Sequence, residues 1–482
     1  MKTLQAYIGG RWVSSSTGGT FDDEDPAHRG SVVAQCAACG TEDVRAAVDA
    51  AAGAFVRWSA TPLERRQEAV ARFLDLLAGA REDLAAVVAR ENGKTLKEAR
   101  TEIGSALAEG AHHLRQVSVF CGPALPMGAG PMHGWTQWSP VGVAALICPW
   151  NFPVNVLCRK AVPALLAGAT VVCKPATFTP WSGVFLAGLL DRAGCGDGVF
   201  NCVTGPGAAI GNALVADPRV RAISFTGSSA VGQAIAQRAA VTLARTQLEM
   251  GGKNAAIVMD DADLDKALAA VAAAAFACAG QWCTSTSRLI LHRPVAAEFL
   301  RRLAARCEAM RVGDPFDEAT DMGPVAGPQQ YEGIAAAIRR AVSEGARLVT
   351  GGPMQGEAGQ RGYYIRPTVL AGVSRSMAIF REEVFGPVVA VTECADLEEA
   401  LDLANDSRYG LSSAIFTRDI GRARRYLDTI RTGMAHVNCG TGLKLPALPF
   451  GGWKESGAGL PENSSSGLEF FLDRKAVYLA DG

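Results

Sequence analysis

Apolar and polar positions divide the chain into a helical N-terminal stretch and a long alternating remainder. Residues 4–13 change character around Gly9-Gly10, which predicts a short hairpin. From Thr41 to Trp58, Val44, Ala47, Val48, Ala51 and Phe55 fall on one stripe. A helix is predicted there, with Thr41 as its N-cap. Pro62 opens a second helix whose apolar face carries Val70, Phe73, Leu74 and Leu77. A third runs through about Ala99 to Val119, and Pro123, Pro126, Gly128, Gly130 and Pro131 break it.

From Val141 the texture changes to short β-branched runs separated by Ala-rich helical stretches. The predicted strands are Val141–Ile147, Thr170–Cys173, Val199–Val203, Ala222–Phe225 and Gln247–Met250. A second series follows: Ala255–Val258, Arg288–Leu291, Val388–Val391, Ser413–Phe416 and Met434–Val437. Such alternation is the signature of parallel sheets with crossover helices, so the expected class is α/β with two doubly wound units. Phe470 to Leu479 reads as one further strand.

Composition narrows the function classes. Lys and Arg number 47 against 48 Asp and Glu, a net charge of −1, without the basic excess of a nucleic-acid binder. No apolar run is long enough to span a membrane, and residues 1–5 lack the apolar core of a signal peptide. A soluble, cytoplasmic protein is expected. The 13 Cys are scattered, unlike a disulfide framework. Cys36 and Cys39 form a lone CxxC with no second pair, and no HExxH occurs, so no metal site is expected.

Several segments carry candidate chemistry. The strand ending at Phe225-Thr226 runs into Gly227-Ser228 and then a helix, whose free N–H groups suit a pyrophosphate. Thr204-Gly205-Pro206-Gly207 is a similar turn, although its spacing is not GxGxxG. Either is otherwise a plain strand-to-helix turn. Lys174 closes a strand at the edge where ligands bind in open parallel sheets; a solvated strand-end Lys is the alternative. Cys283 sits in the loop Gly280-Gln281-Trp282-Cys283-Thr284. A free thiol is only about 3% ionised at pH 7, so a nucleophilic Cys needs help; most Cys are simply small buried hydrophobes. Glu249 is the candidate base. In Pro149-Trp150-Asn151-Phe152-Pro153, two Pro brace an Asn whose amide suits an oxyanion.

Taken in order, these segments resemble the aldehyde dehydrogenase superfamily over nearly the whole chain. The motifs are Pro149-Trp150-Asn151-Phe152-Pro153, Lys174-Pro175, Phe225-Thr226-Gly227-Ser228, Glu249-Met250-Gly251-Gly252-Lys253, Gly280-Gln281-Trp282-Cys283, Glu382-Glu383-Val384-Phe385-Gly386-Pro387, and Pro449 to Gly457. Glu249 and Cys283 stand 34 residues apart, the family's spacing. The resemblance implies a Rossmann-like cofactor domain (1–121 and 141–248) and a catalytic domain (249–440). It also implies a β oligomerisation arm (122–140 and 460–482) that joins a homodimer or homotetramer. Cys283 would attack the aldehyde, Asn151 would hold the oxyanion, and Glu249 would activate the water that releases the acid. The cofactor would be NAD or NADP, with Trp150, Lys174, Thr177, Gly205, Phe225, Gly227, Ser228, Glu383 and Phe385 around it.

Two departures bear on specificity. Members with strong NAD preference carry a Glu three residues after the strand-end Lys, where this chain has Thr177. A 2′-phosphate then meets no repulsion, and NADP is expected to be accepted. Arg159 stands where succinate-semialdehyde dehydrogenases place an Arg that grips the substrate carboxylate, but that group's second Arg is Ala277 here. The stretch from Gly252 to Arg288 also resembles the α-ketoglutaric-semialdehyde branch. Arg159 and Trp282 are therefore expected to bind substrate, with His113 and Gln116 shaping the tunnel; a helix-surface Arg and plain packing are the alternatives. The expected reaction is oxidation of a carboxylate-bearing semialdehyde. Other aliphatic or aromatic aldehydes, acyl transfer to CoA, or a non-catalytic structural role are the competing readings.

Overall fold

The computed structural model describes residues 2–120, 124–125 and 132–480. Two sheets form the framework. The first has eight strands in the order Gly457–Ala458, Arg245–Glu249, Val220–Thr226, Val143–Ile147, Thr170–Lys174, Phe200–Cys202, Ala6–Ile8 and Arg11–Val13. The five middle strands are parallel and the edges antiparallel. Val143–Ile147 is the first of the five in the chain and lies at their centre. Later strands add on both of its sides, which creates a topological switch at its carboxyl end. The segments leaving that edge are Cys148–Pro153, Lys174–Thr177, Gly227–Ser228 and Met250–Gly251, so pairing alone gathers four of the predicted motifs.

The second sheet has the order Arg347–Pro353, Ile365–Ala371, Val388–Cys394, Thr286–His292, Asn254–Val258, Ser412–Phe416 and Met434–Val437. All neighbours are parallel except the first pair. Cys283 and Glu383 lie in the loops just before the strands Thr286–His292 and Val388–Cys394. Each sheet is sandwiched by helices over its own apolar core, Leu146, Val171 and Phe200 in the first unit and Ile257, Leu289 and Val389 in the second. No helix of the described residues is long and apolar enough to cross a membrane.

The structure revises several expectations. Gly40, not Thr41, caps the helix Thr41–Ala60, and the Asp43 carboxylate takes the Gly40 N–H at 2.8 Å. A separate helix, Arg81–Asn92, precedes Leu96–Gln116 and ends at Gly93. The edge strand Arg347–Pro353 and its neighbour Ile365–Ala371 escaped detection because Gly351, Gly352, Pro353 and Pro367 interrupt their alternation, and their register shifts twice. The expected arm is shorter at its C-terminal end. Leu472–Ala480 does pair antiparallel with Met132–Pro140. Residues 457–471 instead return to the first unit: Gly457 pairs with Glu249, and Leu468, Phe470 and Phe471 join its core. Residues 122–123 and 126–131 of that arm lie outside the described residues, as do Pro123, Pro126, Gly128, Gly130 and Pro131.

Candidate active site

One amphipathic helix organises the site. Leu96–Gln116 packs its Ala and Ile stripe inward, but Glu98, Glu102 and Glu109 interrupt that face. Each carboxylate holds a different part of the site. Glu98 accepts the Cys278 N–H at 2.6 Å and so anchors the loop that leads to Cys283. Glu102 accepts the Val154 and Asn155 N–H groups at 2.9 and 3.0 Å, capping the helix Asn155–Ala167. Glu109 takes cations, as described below. Glu102 and Glu109 are buried and Glu98 half-buried; such carboxylates are costly unless met by donors, and here each is.

The loop before Cys283 is a left-handed turn. Cys278, Ala279 and Gly280 have φ of 53°, 52° and 66°, which costs about 1–2 kcal/mol for each non-glycine residue. Gly280 is required because a Cβ there would enter the Gly386 backbone. Hydrogen bonds fix the strained loop. The Asn151 amide donates to the Gln281 carbonyl at 2.9 Å, Gln281 Oε1 accepts the Ala326 N–H at 2.9 Å, and Asn254 Nδ2 donates to the carbonyls of Cys283 and Ser285. Asn151 is thereby held against the nucleophile loop, and one amide proton remains for a ligand. Burial pushes the Cys283 thiol up to about 12, with Glu249 and Glu383 adding to the rise and Arg159 and Lys444 opposing it.

Glu249 does not line the cavity that Cys283 and Asn151 line. It is buried beside Gly451 and Gly452, and its Oε2 has no hydrogen-bond partner among the described residues. Burial, then the Glu462 carboxylate, push its pKa well above the carboxylate range, so this position favours the protonated acid. To act as a base the side chain must turn toward Cys283 and ionise.

That cavity, of about 550 Å³, runs from Cys283 to the carboxyl edge of the first sheet. Trp150, Lys174, Thr177, Phe225, Gly227, Ser228, Glu383 and Phe385 all line it. Trp150 meets Phe385 edge-on at 5.3 Å. Ser228 caps the helix Ser229–Thr242 by accepting the Val231 N–H, and both residues line the cavity, which places the helix N-terminus at its wall. Lys174 Nζ donates to the Pro175 carbonyl at 2.9 Å and keeps further protons for a ligand. Glu383 accepts the Gly252 N–H at 2.8 Å with one oxygen, and only a glycine at 251 leaves room for its carboxylate. The expected contact at Gly205 is corrected: this residue stands behind the wall, where its carbonyl accepts the Thr177 hydroxyl at 3.2 Å, and Gly207 lines the cavity in its place. An apolar slot with a Lys at one end, a helix N-terminus in the middle and a carboxylate toward the thiol fits a dinucleotide.

The substrate end differs more from expectation. Arg159 borders the cavity but is not a free fork. It donates to Glu109 at 2.8 and 3.2 Å, to Glu462 at 3.2 Å and to Asn155 Oδ1 at 2.7 Å. The expectation that it grips a substrate carboxylate is therefore corrected, since two protein carboxylates already occupy it; it is not a helix-surface Arg either. Lys160, buried, pairs with Glu462. Trp282 lines the cavity, 6.2 Å from Phe152, and donates to the Ala274 carbonyl at 3.1 Å. His113 and Gln116 do not border the tunnel. His113 is buried against Gly467, its ring held down to about 4 by burial, while the Gln116 amide faces the backbone of Ser464 and Ser465. Sequence reasoning missed Glu109, Glu462, Asn155 and Lys444. The available signal was the set of acidic residues on an otherwise apolar helix face. No cluster of His, Cys, Asp and Glu fit for a metal occurs among the described residues, and Cys36 and Cys39 are separately buried thiols.

A dinucleotide-shaped slot that ends on a thiol, with a fixed amide beside it, belongs to oxidoreductases that bind their carbonyl substrate covalently. Comparison with known proteins makes the class specific. The sequence model described as "Aldehyde dehydrogenase family" matches residues 12–477, and the chain belongs to that family. It is 40% identical to an alpha-ketoglutarate semialdehyde dehydrogenase of Haloferax volcanii, over 98% of each chain. It is 38% identical to an alpha-ketoglutaric semialdehyde dehydrogenase of Bacillus subtilis, over 99% of this chain and 98% of the relative. A solved structure of betaine aldehyde dehydrogenase from Staphylococcus aureus in complex with NAD+ superposes with a TM-score of 0.96 at 31% identity, covering 99% of this chain and 95% of that one.

Proposed function

We propose that this NAD(P)-dependent aldehyde dehydrogenase oxidises a short semialdehyde bearing a distal carboxylate to the corresponding dicarboxylic acid, of the α-ketoglutaric-semialdehyde kind. The observation that carries the reading is the single cavity joining Cys283 and Asn151 to Lys174, Thr177 and Glu383. The semialdehyde relatives support the substrate class. The Cys283 thiolate adds to the aldehyde carbon, and the spare Asn151 proton and the Cys283 N–H hold the resulting oxyanion. The bound dinucleotide supplies the hydride acceptor. Loss of hydride leaves a thioester on Cys283. Glu249, turned toward the cavity and ionised, takes a proton from water, which displaces the thiolate and releases the acid. Lys174 and Glu383 orient the two ribose ends, and Trp150 and Phe385 wall the slot. The retained Glu249 favours water over CoA as acyl acceptor.

A panel of acidic, neutral and aromatic aldehydes, followed through the absorbance of the reduced dinucleotide with and without CoA, tests the reading. Acidic semialdehydes are expected to give the highest kcat/KM without CoA; strict dependence on CoA contradicts it. Replacing Asn151 by Ala is expected to lower kcat by roughly 10²- to 10³-fold with a much smaller change in KM. A change confined to KM speaks against the oxyanion role.

Thr177 sets the cofactor preference we infer, with NADP+ accepted alongside NAD+. Its hydroxyl faces the Gly205 carbonyl, and it borders the cavity near Lys174 without adding charge. A carboxylate at this position repels a 2′-phosphate. Thr177→Glu is expected to shift the ratio of kcat/KM for NAD+ over NADP+ upward by at least about tenfold; an unchanged ratio refutes the assignment. Assembly as a homodimer or homotetramer through the strand Leu472–Ala480 and its partner Met132–Pro140, and a cytoplasmic location in keeping with the scattered thiols, complete the proposal.

A further inference from the structure

Beside Cys283 the protein buries more positive than negative charge. Among the described residues, the ion pairs of Arg159, Lys160 and Lys444 all go to two carboxylates, Glu109 and Glu462. Glu109 is shared: it takes Arg159 through two N–H groups and Lys444 at 2.7 Å. Glu462 takes Arg159 and Lys160. Asn155 Oδ1 accepts from both Arg159 and Lys444, the latter at 2.6 Å. The third carboxylate of the region, Glu249, is pushed toward its neutral form by burial and by Glu462 and makes no ion pair among the described residues, so three cations share two paired carboxylates. In a partly desolvated cavity such an excess attracts an anion.

Exposure decides where that charge can be reached. The Arg159 and Lys160 side chains are 3% and 0% exposed, whereas Lys444 is 24% exposed and lines the cavity. Lys444 and Cys283 line the same cavity, and Gly442, two residues before Lys444, lies against the ring of Trp282, the residue before Cys283. Two hydrogen bonds leave Lys444 one further ammonium proton, and the Phe450 ring lies 5.9 Å away. The cation is under-neutralised: burial and the neighbouring Arg159 both press its pKa down, against the pull of Glu109.

We propose that Lys444 receives the distal carboxylate of the substrate, and that Arg159 acts beneath it as a positioning residue by holding Glu109 and Asn155. The charge-assisted contact selects acidic aldehydes and sets them with the carbonyl toward Cys283. This rests on the acidic-substrate reading above, and the test separates the two. It compares succinic semialdehyde with butanal in the wild type, Lys444→Met and Lys444→Arg, and adds glutarate as an inhibitor of butanal oxidation. In Lys444→Met the acidic-to-neutral ratio of kcat/KM is expected to fall by about 10- to 100-fold, mainly through KM, and the inhibition constant of glutarate to rise comparably. Lys444→Arg restores most of both, because the charge is kept. A ratio and an inhibition constant that Lys444→Met leaves unchanged, or an equal loss in Lys444→Arg, overturns the assignment. A wild type that favours butanal fails the acidic-substrate reading by itself, while the glutarate measurement still reads Lys444.

Discussion

Replacing Cys283 by Ala lowers aldehyde oxidation by on the order of 10⁴-fold or more, because no other group can form the acyl bond. Of the eleven other thiols described, ten are buried, Cys148 among them although it borders the cavity at the end of the strand Val143–Ile147, and Cys439 does not line the cavity. The slot for the dinucleotide is built from other residues, so the variant is expected to keep binding NAD(P)+, measured by fluorescence titration. Thermal unfolding should change little, since Ala removes only a sulfur from a position that is not fully buried. Activity within tenfold of the wild type contradicts the covalent route.

The second large effect is expected from Glu249→Gln. Steady-state turnover falls by roughly 10²- to 10⁴-fold, the range for loss of a general base. The first turnover does not fall with it. A burst of reduced dinucleotide close to one per active site is expected before the slow phase, because in the proposed mechanism Glu249 serves release of the acyl group and Cys283 its formation. Burial and Glu462 raise the Glu249 pKa strongly. A group with a raised pKa gives up its proton only as pH rises, so the wild-type deacylation rate climbs with pH until Glu249 is ionised. Glu249→Gln is expected to lose that climb. Slow turnover without a burst places Glu249 in acylation instead and refutes this division of labour.

The framework and the candidate site residues were legible in the sequence because both rest on local signals. Parallel strands such as Thr170–Lys174 and Asn254–Val258 are short apolar runs, and the cofactor motifs sit directly on their carboxyl ends. Where local signals were weak, reading stopped. Gly351-Gly352 broke an edge strand into a loop-like pattern, and Gly40 took a capping role that Thr41 fitted equally well. Arg159 shows the deeper limit. Its partners Glu109 and Glu462 lie 50 and 303 residues away, so nothing near it in the chain reveals that its donors are already used. Lys444 escaped notice for the same reason: an isolated Lys in a loop acquires meaning only when folding sets it beside Arg159, Asn155 and Cys283. The retracted Glu249 is a matter of side-chain rotation and burial, which motif spacing does not encode.

The most direct test of the account is the mass of the Glu249→Gln protein after brief exposure to an aldehyde and NAD(P)+, followed by acid quenching and peptide mapping. The account predicts one acyl group per chain, gained at the expense of a single thiol proton and found on the peptide that contains Cys283. An unmodified protein, or an acyl group mapped to any other residue, contradicts it.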